Sequence, residues 1–143
     1  MTDRTALDDW ELLSRVAQAY RTISDTFMEQ ADTHRAQGVV LCHLFVQDGV
    51  TQTEIGERLG VQGATVTNML QRMEEASLIV RRRDAEDNRL VRVYLTDEGR
   101  MKERALNEQF VKLEATIFEG FDEAERVLMR RLLKQLLQNM GGK

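Results

Sequence analysis

The sequence predicts a mainly α-helical chain with one small β-hairpin past its middle and long amphipathic helices at both ends. Three observations predict it. Apolar residues recur every three or four positions over long stretches near both termini. Between residues 78 and 95 that helical spacing gives way to two short β-type runs. No proline occurs in 143 residues, which is compatible with long uninterrupted helices.

The first helix is expected over about residues 8–30, where Leu12, Val16, Ala19, Ile23 and Phe27 share a stripe that Leu13, Ala17 and Tyr20 widen. A second should run over 33–45 and stop at Asp48-Gly49. Residues 50–77 read as two short helices joined by a tight turn. Runs 78–80 and 90–95 read as strands, separated by the polar stretch 83–89. After Thr96-Asp97-Glu98-Gly99 a long helix resumes, with Leu106, Phe110, Leu113 and Ile117 at helical spacing, until Gly120 interrupts it. Asp122 and Glu125 form a capping box for a last helix through Met140, apolar at Val127, Leu128, Leu132, Leu136 and Met140 and ended by Gly141-Gly142.

Length and composition narrow the function classes. A chain of this size buries roughly 68–70% of its unfolded surface, so no disulfide or metal is needed. The single cysteine, Cys42, has no internal partner, and a cytoplasmic location is the simplest expectation. The N-terminus is acidic and lacks a signal-like apolar stretch, and no run of 18 apolar residues occurs, so no membrane association is expected. The net charge of −4 is unevenly spread: residues 1–50 carry four Arg against eight Asp+Glu, whereas residues 58–92 carry seven Arg against five acids. Nucleic-acid binding through bulk charge is thereby disfavoured, and a focused arginine patch on an acidic body remains. No Gly-rich phosphate loop, His-Glu-x-x-His or nucleophile elbow occurs, so neither an enzyme nor a cofactor is expected. Cys42 and His43 point about 100° apart on a helix, and with His34 they make an incomplete metal set.

The central segment carries the functional signal. Thr51 and Glu54 form a capping box, Ile55 and Leu59 share a face, Gly56 permits close packing, and Gly60 suits a left-handed helix stop. The next helix turns Val66, Met69, Leu70 and Met73 inward, leaving Gln62, Thr65, Asn68, Gln71 and Arg72 outward. This is the pattern of a helix-turn-helix, whose second helix presents its first residues to base edges in the major groove. Asn68 suits adenine, and the methyls of Thr65 and Thr67 suit thymine.

The following residues identify a resemblance. Arg83, Asp87-Asn88-Arg89, the strand 91–93 and Leu95-Thr96-Asp97-Glu98-Gly99 resemble the wing and helix start of the MarR family of winged helix-turn-helix transcriptional regulators. Residues 74–81 resemble the family's entry into the wing, and Thr33 with Gln37 and the Asp122/Glu125 opening extend the likeness over essentially the whole chain. Departures fall at Gly63 and Ala64, where members often carry Ser or Pro, and at Asn68, where the residue is frequently basic. The wing tip would bring Arg89 to the minor groove. Asp87 would brace the wing by pairing with Arg83 or Arg89. Arg72, Arg81, Arg82 and Arg83 are candidates for DNA contact, the first three on phosphates.

The resemblance implies a winged helix-turn-helix reading region over residues 33–97 and a helical dimerisation region over 1–32 and 98–143. It implies a homodimer on a pseudo-palindromic double-stranded operator, acting as a repressor relieved by a small-molecule effector. Trp10, Tyr20, Phe27 and Phe45 are candidates to line the effector pocket. Two alternatives are a winged protein-interaction module that does not read DNA, and a thiol-based redox sensor acting through Cys42.

Overall fold

In the computed structural model, residues 4–142 are described; residues 1–3 and 143, which the expected domain limits include, lie outside the described residues. The chain runs α1 (Arg4–Gln30), α2 (Arg35–Val46), α3 (Gln52–Leu59), α4 (Gly63–Glu75), β1 (Ile79–Arg83), β2 (Val91–Leu95), α5 (Asp97–Met101), α6 (Glu103–Ile117) and α7 (Glu123–Asn139). The predicted class, mainly helical with one hairpin, is the observed one.

The core forms around α2. Val40, Leu41 and Leu44 meet Met28 of α1, Ile55 of α3, Val66, Leu70 and Met73 of α4, Ile79 and Val93 of the hairpin, and Leu106 of α6. Burial of these side chains fixes α2, α3, α4 and the hairpin against α1 and α6. A Cβ at Gly38 would sit 2.8 Å from Met28 Sδ and 3.6 Å from a Leu106 methyl, so glycine lets α1, α2 and α6 converge there.

The hairpin is antiparallel, in register from Ile79 opposite Leu95 to Arg83 opposite Val91. Residues 49–51 lie along its other edge: Val93 N–H donates to Val50 O at 2.9 Å and Gly49 N–H to Val93 O at 3.0 Å. The hairpin is thereby locked to the end of α2. Asp48 adds to this lock by accepting from Leu95 N–H and from Arg100, both at 2.9 Å.

Three boundaries differ from expectation. The helix expected from residue 8 begins by Arg4. β1 runs to Arg83 although Arg81 to Arg83 carry no apolar alternation; ladder pairing with β2 holds them extended. The helix after Thr96 breaks at Lys102, whose Nζ donates to Asp32 O at 2.8 Å and Thr33 Oγ1 at 3.2 Å. That anchor is tertiary, so helical periodicity carries no trace of it.

Both terminal helices leave apolar faces uncovered within the chain. Trp10, Leu12, Val16 and Tyr20 of α1 are exposed, and no residue of α7 is buried, despite Leu128, Leu132, Leu133, Leu136 and Leu137. No helix among the described residues is long and apolar enough to cross a membrane.

Candidate nucleic-acid interface

The α3–α4 unit is built from local signals. Thr51 Oγ1 accepts from Glu54 N–H and the Glu54 carboxylate accepts from Thr51 N–H, both at 3.1 Å, which opens α3. Gly60 closes it at φ 66°, ψ 30°. A Cβ on Gly56 would lie 3.0 Å from Val66 Cγ2, so glycine brings α3 and α4 into close contact.

Val66, Leu70 and Met73 form the buried face of α4. At about 100° per residue, Ala64, Asn68 and Gln71 fall opposite that face, with Arg72 and Thr65 on one flank and Thr67 on the other. All six are exposed. Gln62 is exposed at the N-cap but makes no side-chain cap, and no acid occupies the first turn, so the leading N–H groups of α4 face outward without a side-chain partner. Ala64, one of the departures at the helix start, sits at the centre of the exposed face.

Ser77 and Leu78 carry the chain from α4 into the wing. Leu78 N–H donates to Met73 O and Ser77 N–H to Glu74 O, a Schellman motif with Ser77 in the left-handed region at φ 63°.

The structure distributes the five wing-region arginines among different tasks. Arg81 donates to Glu74 through its backbone N–H at 3.0 Å and its guanidinium at 3.3 Å, and its side chain is largely buried. As placed, it ties β1 to α4. Arg82 is exposed and stacks over Tyr94 at 5.9 Å. Arg83 donates to Asn88 O at 2.7 Å across the tip. Arg92 bonds to the Asp84 carboxylate and to Gly49 O, joining the wing base to the end of α2.

Asp87 pairs with Arg89, the second of its two expected partners. Arg89 Nε and Nη2 donate to the two carboxylate oxygens, each at 3.0 Å, and Arg89 N–H adds a third bond at 3.1 Å. The Arg89 side chain is nonetheless 89% exposed. The Arg89 guanidinium and backbone N–H hold the Asp87 carboxyl below its usual range. Asp84 accepts from Glu86 N–H and Asp87 N–H besides Arg92, and these bonds bring its carboxyl down to about 2. The sequence singled out neither Asp84 nor Arg92, whose mutual bond spans eight residues and whose link to Gly49 spans 43.

The four aromatic candidates are not brought together within the chain. Trp10 and Phe27 lie on one straight run of α1, about 25 Å apart at 1.5 Å per residue. Trp10 and Tyr20 are exposed, while Phe27 and Phe45 pack half-buried on the core. Cys42 is half-buried, and burial, with the Glu103 carboxylate second, pushes its thiol up to about 11. His43 lies 3.4 Å from an Arg58 nitrogen; burial and then that guanidinium lower its pKa.

Comparisons with known proteins agree with this geometry. Residues 34–91 match the profile of the MarR family. The chain is 31% identical over 130 residues to YwoH of Bacillus subtilis (strain 168), an uncharacterized HTH-type transcriptional regulator, covering 89% of this chain and 94% of that one. The structure of S. aureus MepR bound to DNA superposes with a TM-score of 0.80 at 30% identity, covering 90% of this chain and 94% of that chain. PcaV of Streptomyces coelicolor, solved with its natural ligand, shares the fold at a TM-score of 0.82 and 24% identity, over 96% and 97% of the two chains. This chain belongs to the MarR family of winged helix-turn-helix, DNA-binding transcriptional regulators, and it is a regulator rather than an enzyme.

Proposed function

We propose that two copies of this chain pair through their terminal helices and read a pseudo-palindromic operator in double-stranded DNA, repressing transcription until a small molecule releases them. The carrying observation is the exposed face of α4, with Ala64, Asn68 and Gln71 at its centre, beside a wing whose tip extends Arg89. In this reading α4 enters the major groove, with Gln62, Thr65, Thr67, Asn68 and Gln71 nearest the bases. Arg72, Arg82 and Arg83 serve the backbone, and Arg89 enters the adjacent minor groove. The DNA complex of MepR supports the docking mode.

Residues 33–97 then form the reading region, and residues 1–32 and 98–143 the pairing region. Support for pairing comes from α7, whose leucines remain 36–50% exposed within the chain. Trp10 and Tyr20 belong with that pairing face in this account. Phe27 and Phe45, at the junction of α1 and α2 with the core, border the place where an effector would act on head spacing. A DNA target implies the cytoplasm. The high thiol pKa of Cys42 weighs against the redox-sensor alternative.

Size-exclusion chromatography with light scattering, joined to a band-shift on DNA flanking the protein's own gene, tests the proposal. A dimer that shifts the duplex, and a Leu132→Glu/Leu136→Glu variant that is monomeric and fails to shift it, are expected. A wild-type monomer that binds equally well would overturn the paired reading.

A further inference from the structure

Gln52 opens α3, fifteen residues before Thr67 on α4, and the two side chains meet. Gln52 Nε2 donates to Thr67 Oγ1 at 2.8 Å, while Thr67 Oγ1 donates its only proton to Gly63 O at 2.9 Å. With the hydroxyl's one hydrogen on Gly63 O, which can only accept, the Gln52 group facing the hydroxyl is the amide nitrogen. A threonine in a helix ordinarily divides between two χ1 rotamers. Here two hydrogen bonds, one from the other helix of the motif, hold the oxygen against the protein.

We infer that Gln52 is a positioning residue for DNA reading: it holds Thr67 so that its methyl, not its hydroxyl, faces the base edges and favours a thymine. The inference rests on α4 being the reading helix. Thr67 lies on the flank of the exposed face nearest α3, which is why a residue of α3 can control it. Valine at 67 would occupy both side-chain positions without needing Gln52, because valine strongly prefers a single helical rotamer.

The test uses the full chain and a duplex selected from a random library, in which each thymine is replaced in turn by deoxyuridine, removing only the methyl. At one position per half-site the wild type should bind the thymine duplex about fourfold more tightly, the worth of one buried methyl-sized group. Thr67→Ser should abolish this preference, Gln52→Ala should reduce it, and Thr67→Val should retain it whether or not Gln52 is also changed. Thermal melts check that each variant folds. Equal affinity for thymine and deoxyuridine at every position overturns the inference, as does a Gln52→Ala variant with full preference, or a Thr67→Val variant that loses what Thr67→Ser keeps. Failure of the wild type to select any duplex overturns the reading of α4 as well; selection with an unaltered methyl preference overturns the role of Gln52 alone.

Discussion

Asp87 holds Arg89 by both guanidinium bonds and by its backbone N–H, yet leaves that side chain almost wholly exposed at the wing tip. The carboxylate therefore acts on direction more than on charge. It aims a long, otherwise mobile side chain along one line, lowering the ordering cost when the tip meets DNA.

Arg89→Ala should accordingly weaken duplex binding and reduce the slope of log affinity against log salt by about 1 per subunit, with the melting temperature little changed. Asp87→Asn should weaken binding less, since the guanidinium stays but is no longer aimed. Fluorescence anisotropy over a salt series measures both. A large drop in melting temperature for Arg89→Ala would instead make Arg89 a structural residue.

The wing should lose order in acid through Asp84. Its carboxyl falls from an ordinary 3.8 to about 2 on folding, because Arg92 and the Glu86 and Asp87 N–H groups favour the charged form. A depressed folded value contributes stability that is full above the unfolded pKa and is lost as pH falls from about 4 towards 2. NMR shifts of the Glu86 and Asp87 amides in the folded protein should titrate about the lowered value of about 2, and Asp84→Asn should remove the titration. Amides that titrate unchanged in the variant would assign the effect elsewhere.

Backbone geometry at the end of the hairpin makes opposite predictions for two substitutions. A Cβ at Gly99 would lie 2.2 Å from Leu78 O, so Gly99→Ala should destabilise by about 1–3 kcal/mol. Ser77 holds φ 63° where glycine has no steric cost, so Ser77→Gly should stabilise, by up to about 1 kcal/mol. Urea denaturation decides both signs.

Cys42 should be inert at neutral pH. With its thiol raised to about 11, only a minute fraction is thiolate, the reactive form. Alkylation by iodoacetamide at pH 7 should be slow in the folded protein and become fast in urea. Rapid labelling of the native chain would restore the redox reading.

Local signals made much of this molecule legible in its sequence. The boxes Thr51/Glu54 and Asp122/Glu125, and the inward set Val66, Leu70 and Met73, each depend on residues a few positions apart. What stayed hidden depends on distance. Arg92 reaches Gly49 across 43 positions, Lys102 reaches Asp32 across 70, and Gln52 meets Thr67 across a turn. Arg81 sits in an arginine run, and its bonds to Glu74 arise only where β1 meets the end of α4. The four aromatics grouped by type were scattered by helix geometry, since α1 alone separates Trp10 from Phe27 by five turns of helix, roughly.

Hydroxyl-radical footprinting on an inverted repeat beside the protein's own gene tests the central claim most directly. The account predicts two protected patches centred about one helical turn (roughly 10 base pairs) apart, with flanking minor-groove protection that disappears in Arg89→Ala while the central protection persists. A single protected patch, or a footprint identical in wild type and Arg89→Ala, would contradict it.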